Sequence, residues 1–165
     1  MSLLPPFDVA QVRGHDVSRT SAILRFDAML ISGWTAIDYK SSRAPGKSSY
    51  SRSKPQARTR GKMTYTASVT LSEREAGVLR DYLAAKGAPA RTGWSETEFT
   101  VTLTYFEPSL GPGVQTVVLV AAQATEFDRS ISDSDDPLMV KVTLDVMDIL
   151  ENGLSAVVEN TATGN

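Results

Sequence analysis

Residues 63–75 read MTYTASVTLSERE, and the change of period inside this stretch decides the fold. Tyr65, Ala67, Val69 and Leu71 alternate with Thr64, Thr66, Ser68 and Thr70, the period of two that gives a strand one apolar face and one hydroxyl-bearing face. At Ser72 the pattern switches. Ser72-Glu73-Arg74-Glu75 has the form of a capping box, in which the Ser72 hydroxyl and the Glu75 carboxylate satisfy free amide groups at a helix start. Val78, Leu79, Tyr82 and Leu83 then fall at helical spacing on one stripe. Lys86 suits a last turn, and Gly87 is placed for a left-handed stop before Pro89. The spacing predicts a helix over 73–86 whose stripe packs on the chain's own sheet.

The same alternation recurs on both sides of this stretch. Upstream, residues 22–31 (AILRFDAMLI) set Leu24, Phe26, Ala28 and Leu30 against Arg25 and Asp27. After Ser32-Gly33, residues 34–40 set Thr35, Ile37 and Tyr39 against Trp34, Ala36, Asp38 and Lys40, and a hairpin is the simplest way to join the two runs. Downstream, residues 98–105 (EFTVTLTY) alternate Phe99, Val101, Leu103 and Tyr105 with polar neighbours. Residues 115–127 form a longer run with a more continuous apolar centre. Residues 138–148 set Val140, Val142, Leu144 and Val146 against Lys141, Thr143 and Asp145. Residues 108–113 (PSLGPG) read as a turn, and Asn152-Gly153 ends the last strand before a polar tail, 154–165, expected to be mobile unless a partner orders it. Six strands and one helix give a mainly β fold, an antiparallel sandwich or barrel with the helix covering an end or flank. No internal repeat is evident, and 165 residues fit a single domain, 1–165.

Residues 41–61 break the pattern, being rich in Ser, Arg, Lys, Gly and Pro with no apolar period, and read as a long extended loop. The charge is concentrated there. Between Lys40 and Lys62 lie eight basic residues, Lys40, Arg43, Lys47, Arg52, Lys54, Arg58, Arg60 and Lys62, and no acidic one. The chain's net charge of −2 therefore hides a body with nine basic and nineteen acidic residues. A basic loop on an acidic body attracts another copy of itself, over a range set by the Debye length of about 8 Å at physiological salt.

Catalytic chemistry has little to work with. A base or nucleophile must be held by a partner, and the sequence offers one histidine, His15, in the polar approach to the first strand. Asp128, Asp133, Asp135 and Asp136 are spaced somewhat like a calcium loop but lack its glycine and terminal glutamate, so they read as a solvated acidic connection. Gly111 and Gly113 lack the lysine and helix of a phosphate cradle. With no cysteine there is neither a disulfide nor a thiolate site. No enzyme activity, cofactor or metal is expected. No stretch approaches the roughly 18 apolar residues of a membrane span, and residues 1–10 show no charged leader followed by an apolar run, so a soluble chain without a secretion signal is expected. The basic loop offers a second reading as a grip on nucleic-acid phosphates, although Tyr50 and Tyr65 are the only aromatics in or beside it and no stacking platform is visible.

The order of features now carries a resemblance. A hairpin ending near Tyr39, a long Pro/Gly/Arg loop, Gly61 opening a strand that runs into a helix capped at Ser72, and a terminal strand ending in Asn152-Gly153 together resemble the phage tail tube family, over roughly residues 12–153. The resemblance implies a structural virion protein that forms hexameric rings, with strands of six copies joined into one barrel around a lumen. It further implies stacking of the rings into a tube that conducts DNA or effectors. Implied partners are further copies of the chain, with sheath, baseplate and tail terminator proteins, and DNA only in transit. The implied location is the virion tail, assembled in the host cytoplasm. In this family the long loop reaches a neighbouring ring, which makes Lys40, Arg43, Lys47, Arg52, Lys54, Arg58, Arg60 and Lys62 the expected contact residues, with Asp128, Asp133, Asp135 and Asp136 as acceptors chosen by charge. The alternative is a DNA-binding or DNA-end accessory module that uses residues 40–62.

Overall fold

The computed structural model describes residues 9–12, 15–18, 22–44, 46–48, 57–59, 62–106, 113–129 and 138–155, and side chains for residues 22–44, 62–106, 113–129 and 138–155. Thirteen strand segments and one α-helix lie among them. They are β1 (Val9–Val12), β2 (His15–Ser18), β3 (Ala22–Phe26), β4 (Met29–Ile31), β5 (Trp34–Arg43), β6 (Gly46–Ser48), β7 (Ala57–Thr59), β8 (Met63–Ser72), α1 (Glu73–Gly87), β9 (Glu98–Phe106), β10 (Val114–Arg129), β11 (Met139–Asp145), β12 (Asp148–Glu151) and β13 (Leu154–Ser155). The mainly β expectation with a single α-helix stands; the count of six strands does not, because turns divide two of the runs and β1, β2, β6, β7 and β13 form in segments without a strand period. His15, read as part of an approach segment, lies in β2.

The strands join in the order β2-β1-β5-β8-β11-β10-β9-β3-β4, with β12 paired to β10 and β13 to β12, while β6 and β7 form a ribbon of their own. All pairs are antiparallel except β1 with β5, which is parallel at Gln11–Ala36 and Val12–Ile37. Arithmetic on this order fixes the curvature. Along the sheet, β5 and β4 are six strand spacings apart, about 29 Å if the sheet were flat. Only Ser32 and Gly33 connect them, and the three steps from Ile31 to Trp34 span at most about 11 Å. The sheet must roll up until β4 and β5 nearly meet. It stays open at that seam, because β1 occupies the free edge of β5 and no β4–β5 ladder exists. The barrel of the sequence reading is thus curled and incompletely hydrogen-bonded.

Rolling brings the apolar faces into one cluster that includes Leu24, Ile37, Val69, Leu79, Val101, Leu119 and Val142. The alternations in β8 and β9 are obeyed, with Ala67, Val69 and Leu71 buried on one and Phe99, Val101, Leu103 and Tyr105 on the other. In β5 an extra residue intervenes: Trp34 lies opposite Leu71 and Ala36 opposite Thr70, so Thr35 is a bulge. The bulge turns Trp34 onto the same buried face as Ile37 and Tyr39, where a strict period of two would have put it outside.

The expected hairpin between residues 22–31 and 34–40 does not form. The first run is itself a hairpin, β3 with β4, pairing Phe26 with Met29 around Asp27-Ala28. Asp27 has φ +51, a left-handed conformation that its short polar side chain tolerates. This turn reverses the second half of the run, so Leu30 is exposed and Ile31 is buried. Strand β3 instead pairs with β9, Leu24 opposite Leu103. The run 138–148 is likewise divided, β11 pairing with the far part of β10 and β12 with the near part. Asn152-Gly153 does more than end it. With φ of +52 and +81 and Glu151 paired to Leu154, these two residues form a two-residue reverse turn into β13, so residues 154 and 155 belong to the sheet rather than to a tail.

Helix α1 follows the capping reading in part. The Ser72 hydroxyl accepts from the Glu75 amide at 3.4 Å. The Glu75 carboxylate does not reach back; it accepts from the Ser32 hydroxyl at 3.3 Å, and the Ser72 amide donates to the Gly33 carbonyl at 2.6 Å. The packed stripe is Ala76, Leu79, Leu83 and Gly87, with Tyr82 at its margin and Val78 exposed. Val78 therefore replaces Ala76 wrongly in the sequence reading, which passed over the smaller residue. Gly87 is not a left-handed stop: its φ is −79, and the left-handed residue is Arg91 at +56. Gly87 is required for space instead, since a Cβ there would lie 2.4 Å from Thr97 Oγ1 and 2.6 Å from the Thr92 carbonyl oxygen. Gly87→Ala is expected to destabilise the subunit by about 1–3 kcal/mol, the usual cost of overpacking, read as a lower denaturation midpoint at unchanged slope.

Candidate functional site

The register of β8 defines two ends of the barrel. At one end Met63 pairs with Arg43; at the other Ser72 pairs with Met139 and leads into α1. Met63 and Ser72 are the first and last of the ten residues of β8, about 30 Å apart along the strand. Lys40 and Arg43 are exposed on β5 near the first end, and Lys62 is exposed just before β8. From Arg43 opposite Met63 the pairing resumes with Gly46 opposite Thr59, Lys47 opposite Arg58 and Ser48 opposite Ala57. The same two chain segments that pair as β5 and β8 thus pair again as β6 and β7, in a ribbon of their own. The stretch read as an unpaired loop is therefore partly a β-hairpin arm: 41–43 belong to β5, and 46–48 pair with 57–59. Arg52, Lys54 and Arg60 lie outside the described residues.

Of the acidic residues, Asp128 lies toward the opposite end. Asp128 is exposed near the end of β10, where it faces Lys141, and Arg129 follows opposite Val140. Asp133, Asp135 and Asp136 lie outside the described residues. Within one chain the basic arm and Asp128 are not brought together; the register sets Arg43 and Asp128 toward opposite ends.

Between the ends, the outward faces of β5, β8 and β11 form a hydroxyl-rich wall. Asp38, Ser68 and Thr143 share one cross-strand row, and Lys40, Thr66 and Asp145 the next. A shallow depression of about 250 Å³ is lined here by Asp38, Lys40, Thr66, Ser68, Lys141 and Thr143 among others. Two lysines and two aspartates in adjacent rows leave the wall without a dominant sign.

At the helix end one carboxylate ties three elements together. Asp27 Oδ2 accepts from the Tyr82 hydroxyl and from Lys86 Nζ, both at 2.8 Å. Its Oδ1 accepts from the Thr100 amide at 2.8 Å, and the Asp27 amide donates to the Thr100 carbonyl at 2.7 Å. Burial pushes the Asp27 carboxyl up, but Lys86, the Thr100 amide and Tyr82 together outweigh it and hold it below its ordinary value. The hydrogen bond to Asp27, reinforced by burial, raises the Tyr82 hydroxyl. One faint signal of this hub is legible in the sequence, an aspartate inside an apolar run. A depressed carboxyl stabilises the fold above the unfolded value of about 3.9, and that contribution is lost as pH falls through the folded value. Asp27→Asn, with Lys86 partly in solvent, is expected to cost about 1–2 kcal/mol at pH 7, and the difference from the unsubstituted protein should shrink below about pH 4 in urea titrations.

Among the described residues no group of three or more His, Asp or Glu side chains is placed to hold a metal ion, and no helix is long and apolar enough to cross a membrane. The features that remain among the described residues are surfaces: an arm end that carries Lys40, Arg43 and Lys62, an opposite end that carries Asp128, and a wall of balanced charge between.

No family model matches the sequence, and no curated protein matches it. Solved structures do. The chain is similar to one in the sheath–tube complex of PVC, an extracellular contractile injection system, in its extended state, with TM-score 0.57 and 11% identity over 82% of this chain and 90% of that one. It is similar to the SPP1 tail tube, with TM-score 0.57 and 8% identity over 84% of this chain and 80% of that one. It is also similar to Hcp1 from Flavobacterium johnsoniae, with TM-score 0.52 and 10% identity over 82% of this chain and 97% of that one. At such identities the likeness concerns the backbone, and the chain has the fold of phage tail tube and Hcp proteins.

Proposed function

We propose that this chain is a tail tube subunit: six copies form a ring, rings stack into a tube, and the lumen conducts DNA. The observation that carries the reading is the tube-protein fold, and it is supported by the register, which sets Lys40 and Arg43 toward one end of the sheet and Asp128 toward the other. Stacked head to tail, copies in successive rings bring these ends together. The arm residues Lys40, Arg43, Lys47, Arg52, Lys54, Arg58, Arg60 and Lys62 then meet Asp128, Asp133, Asp135 and Asp136 of the next ring. Two sheet edges left unpaired among the described residues, β2 and β4, suit pairing between copies around the ring. Sheath, baseplate and terminator proteins would be the further partners, and a virion tail the location.

The hydroxyl wall of β5, β8 and β11 is the face we assign to the lumen. A conduit must not hold what it conducts, and each phosphate neutralised by a lysine or arginine adds affinity through counterion release. Balanced rows avoid that. A reconstruction with a ring of arginine and lysine along the lumen would refute the assignment.

Negative-stain microscopy of concentrated protein tests the function itself. Rings or rods are the expected result; a dispersed monomer that binds DNA in a salt-sensitive way would favour the accessory-module reading instead.

A further inference from the structure

Both ends of the barrel expose apolar side chains that no described residue covers. At the helix end, Ala76, Leu79 and Leu83 face inward, so α1 presents Arg74, Val78, Asp81 and Ala85 outward, with Val78 44% exposed. At the arm end, Phe106 is 43% exposed, Val114 60% and Leu154 75%. Phe106 and Val114 sit directly opposite each other where β9 ends and β10 begins. Beside them a cleft of about 320 Å³ lies between β5 and the β12–β13 hairpin, lined by Ser41, Ile149, Glu151, Asn152, Leu154 and Ser155. Large side chains left in water at the two extremities of one molecule ask for a cover at each.

We propose that the outward face of α1, centred on Val78, seats in the cleft beside Leu154 of a copy in the next ring. The inference rests on the tube reading above and assigns it a second axial contact, separate from the arm. The occupant is a second copy because the charges select it. The cleft lies at the end from which the arm projects, with eight basic residues and no acidic one between Lys40 and Lys62. The helix end carries Asp128 and leads into the connection with Asp133, Asp135 and Asp136. Like ends meeting would set basic arm against basic arm; unlike ends attract, and only that approach lays α1 over the cleft. Charge brings the copies together, and covering Val78 and Leu154 removes apolar surface from water, a gain that salt does not screen.

The absence of cysteine permits a direct test. A chain carrying both Val78→Cys and Leu154→Cys, assembled and then mildly oxidised, should run on a non-reducing gel as a ladder of disulfide-linked multimers, because each copy is joined to one above and one below. Either substitution alone should give no ladder. Val78→Lys and Leu154→Lys, both at exposed positions, should leave folded rings while raising the concentration needed for rods at least tenfold. Rods from the double-cysteine protein without a ladder would overturn the contact while leaving the tube reading intact, as would normal rods from both lysine variants. Absence of rods from the unsubstituted protein would overturn the tube reading and this contact with it.

Discussion

Leu79→Asp is expected to yield no soluble, folded subunit. Leu79 is fully buried at the centre of the α1 stripe, within the cluster that contains the strands of the rolled sheet. Emptying such a site costs about 2–5 kcal/mol, and a buried carboxylate without a partner adds several more or forces protonation. Against a total stability of about 5–15 kcal/mol, that sum removes the fold. Solubility after expression and the far-ultraviolet dichroism of any soluble fraction are the measurements. Leu79→Met is the control, expected to cost under about 1.5 kcal/mol and to assemble normally. A soluble, assembling Leu79→Asp protein would mean that α1 does not pack where it is described.

Deleting residues 44–58 is expected to separate folding from assembly. The cut removes the ribbon and four of the eight basic residues, Lys47, Arg52, Lys54 and Arg58. It leaves Arg43 and Met63, the last paired residues of β5 and β8, joined by Thr59, Arg60, Gly61 and Lys62, a length that hairpins accept. The barrel core is untouched, so thermal unfolding should change little. Long tubes should be lost. Fixing an arm segment against a neighbour costs on the order of 1–2 kcal/mol per residue ordered, and exposed ion pairs worth under about 1 kcal/mol cannot offset that alone. Main-chain pairing and burial must contribute, so growth should be cooperative and only partly suppressed by salt. Sedimentation and microscopy of the deletion protein across a salt series are the checks; normal tubes from it would reduce the arm to solvated decoration.

What could be read from the sequence follows a physical line. Residues 63–72 and 98–106 were legible because every second residue meets one core, and α1 because Ser72 marks a period change at a single position. The turn at Asp27-Ala28 stayed hidden inside a continuous apolar run, and the bulge at Thr35 falsified a period that looked intact. Strand partners were beyond reach: β3 finds β9 some eighty residues later, a pairing decided by curvature and not by any local pattern. The charges of the candidate site were plain in the composition. That Arg43 and Asp128 lie toward opposite ends depends on β-strand register, which a count of lysines does not contain, and the exposure of Leu154 follows from a turn that the sequence offered only as a stop.

The pairing of Leu24 with Leu103 also sets a timetable for synthesis. A ribosome releases β3, β4 and β5 long before β9 exists, and the β5–β8 hairpin can close early because its strands are near in sequence. The curled core cannot. Until about residue 105 has emerged, Leu24, Phe26 and Ile31 have no cover and the edge of β3 has no neighbour. Each nascent chain therefore passes through a stage in which it resembles an open sheet among many others on the same message, the condition under which edge strands stick to one another. Slow translation through residues 22–98 or a chaperone on that segment should therefore govern how many chains reach the folded state.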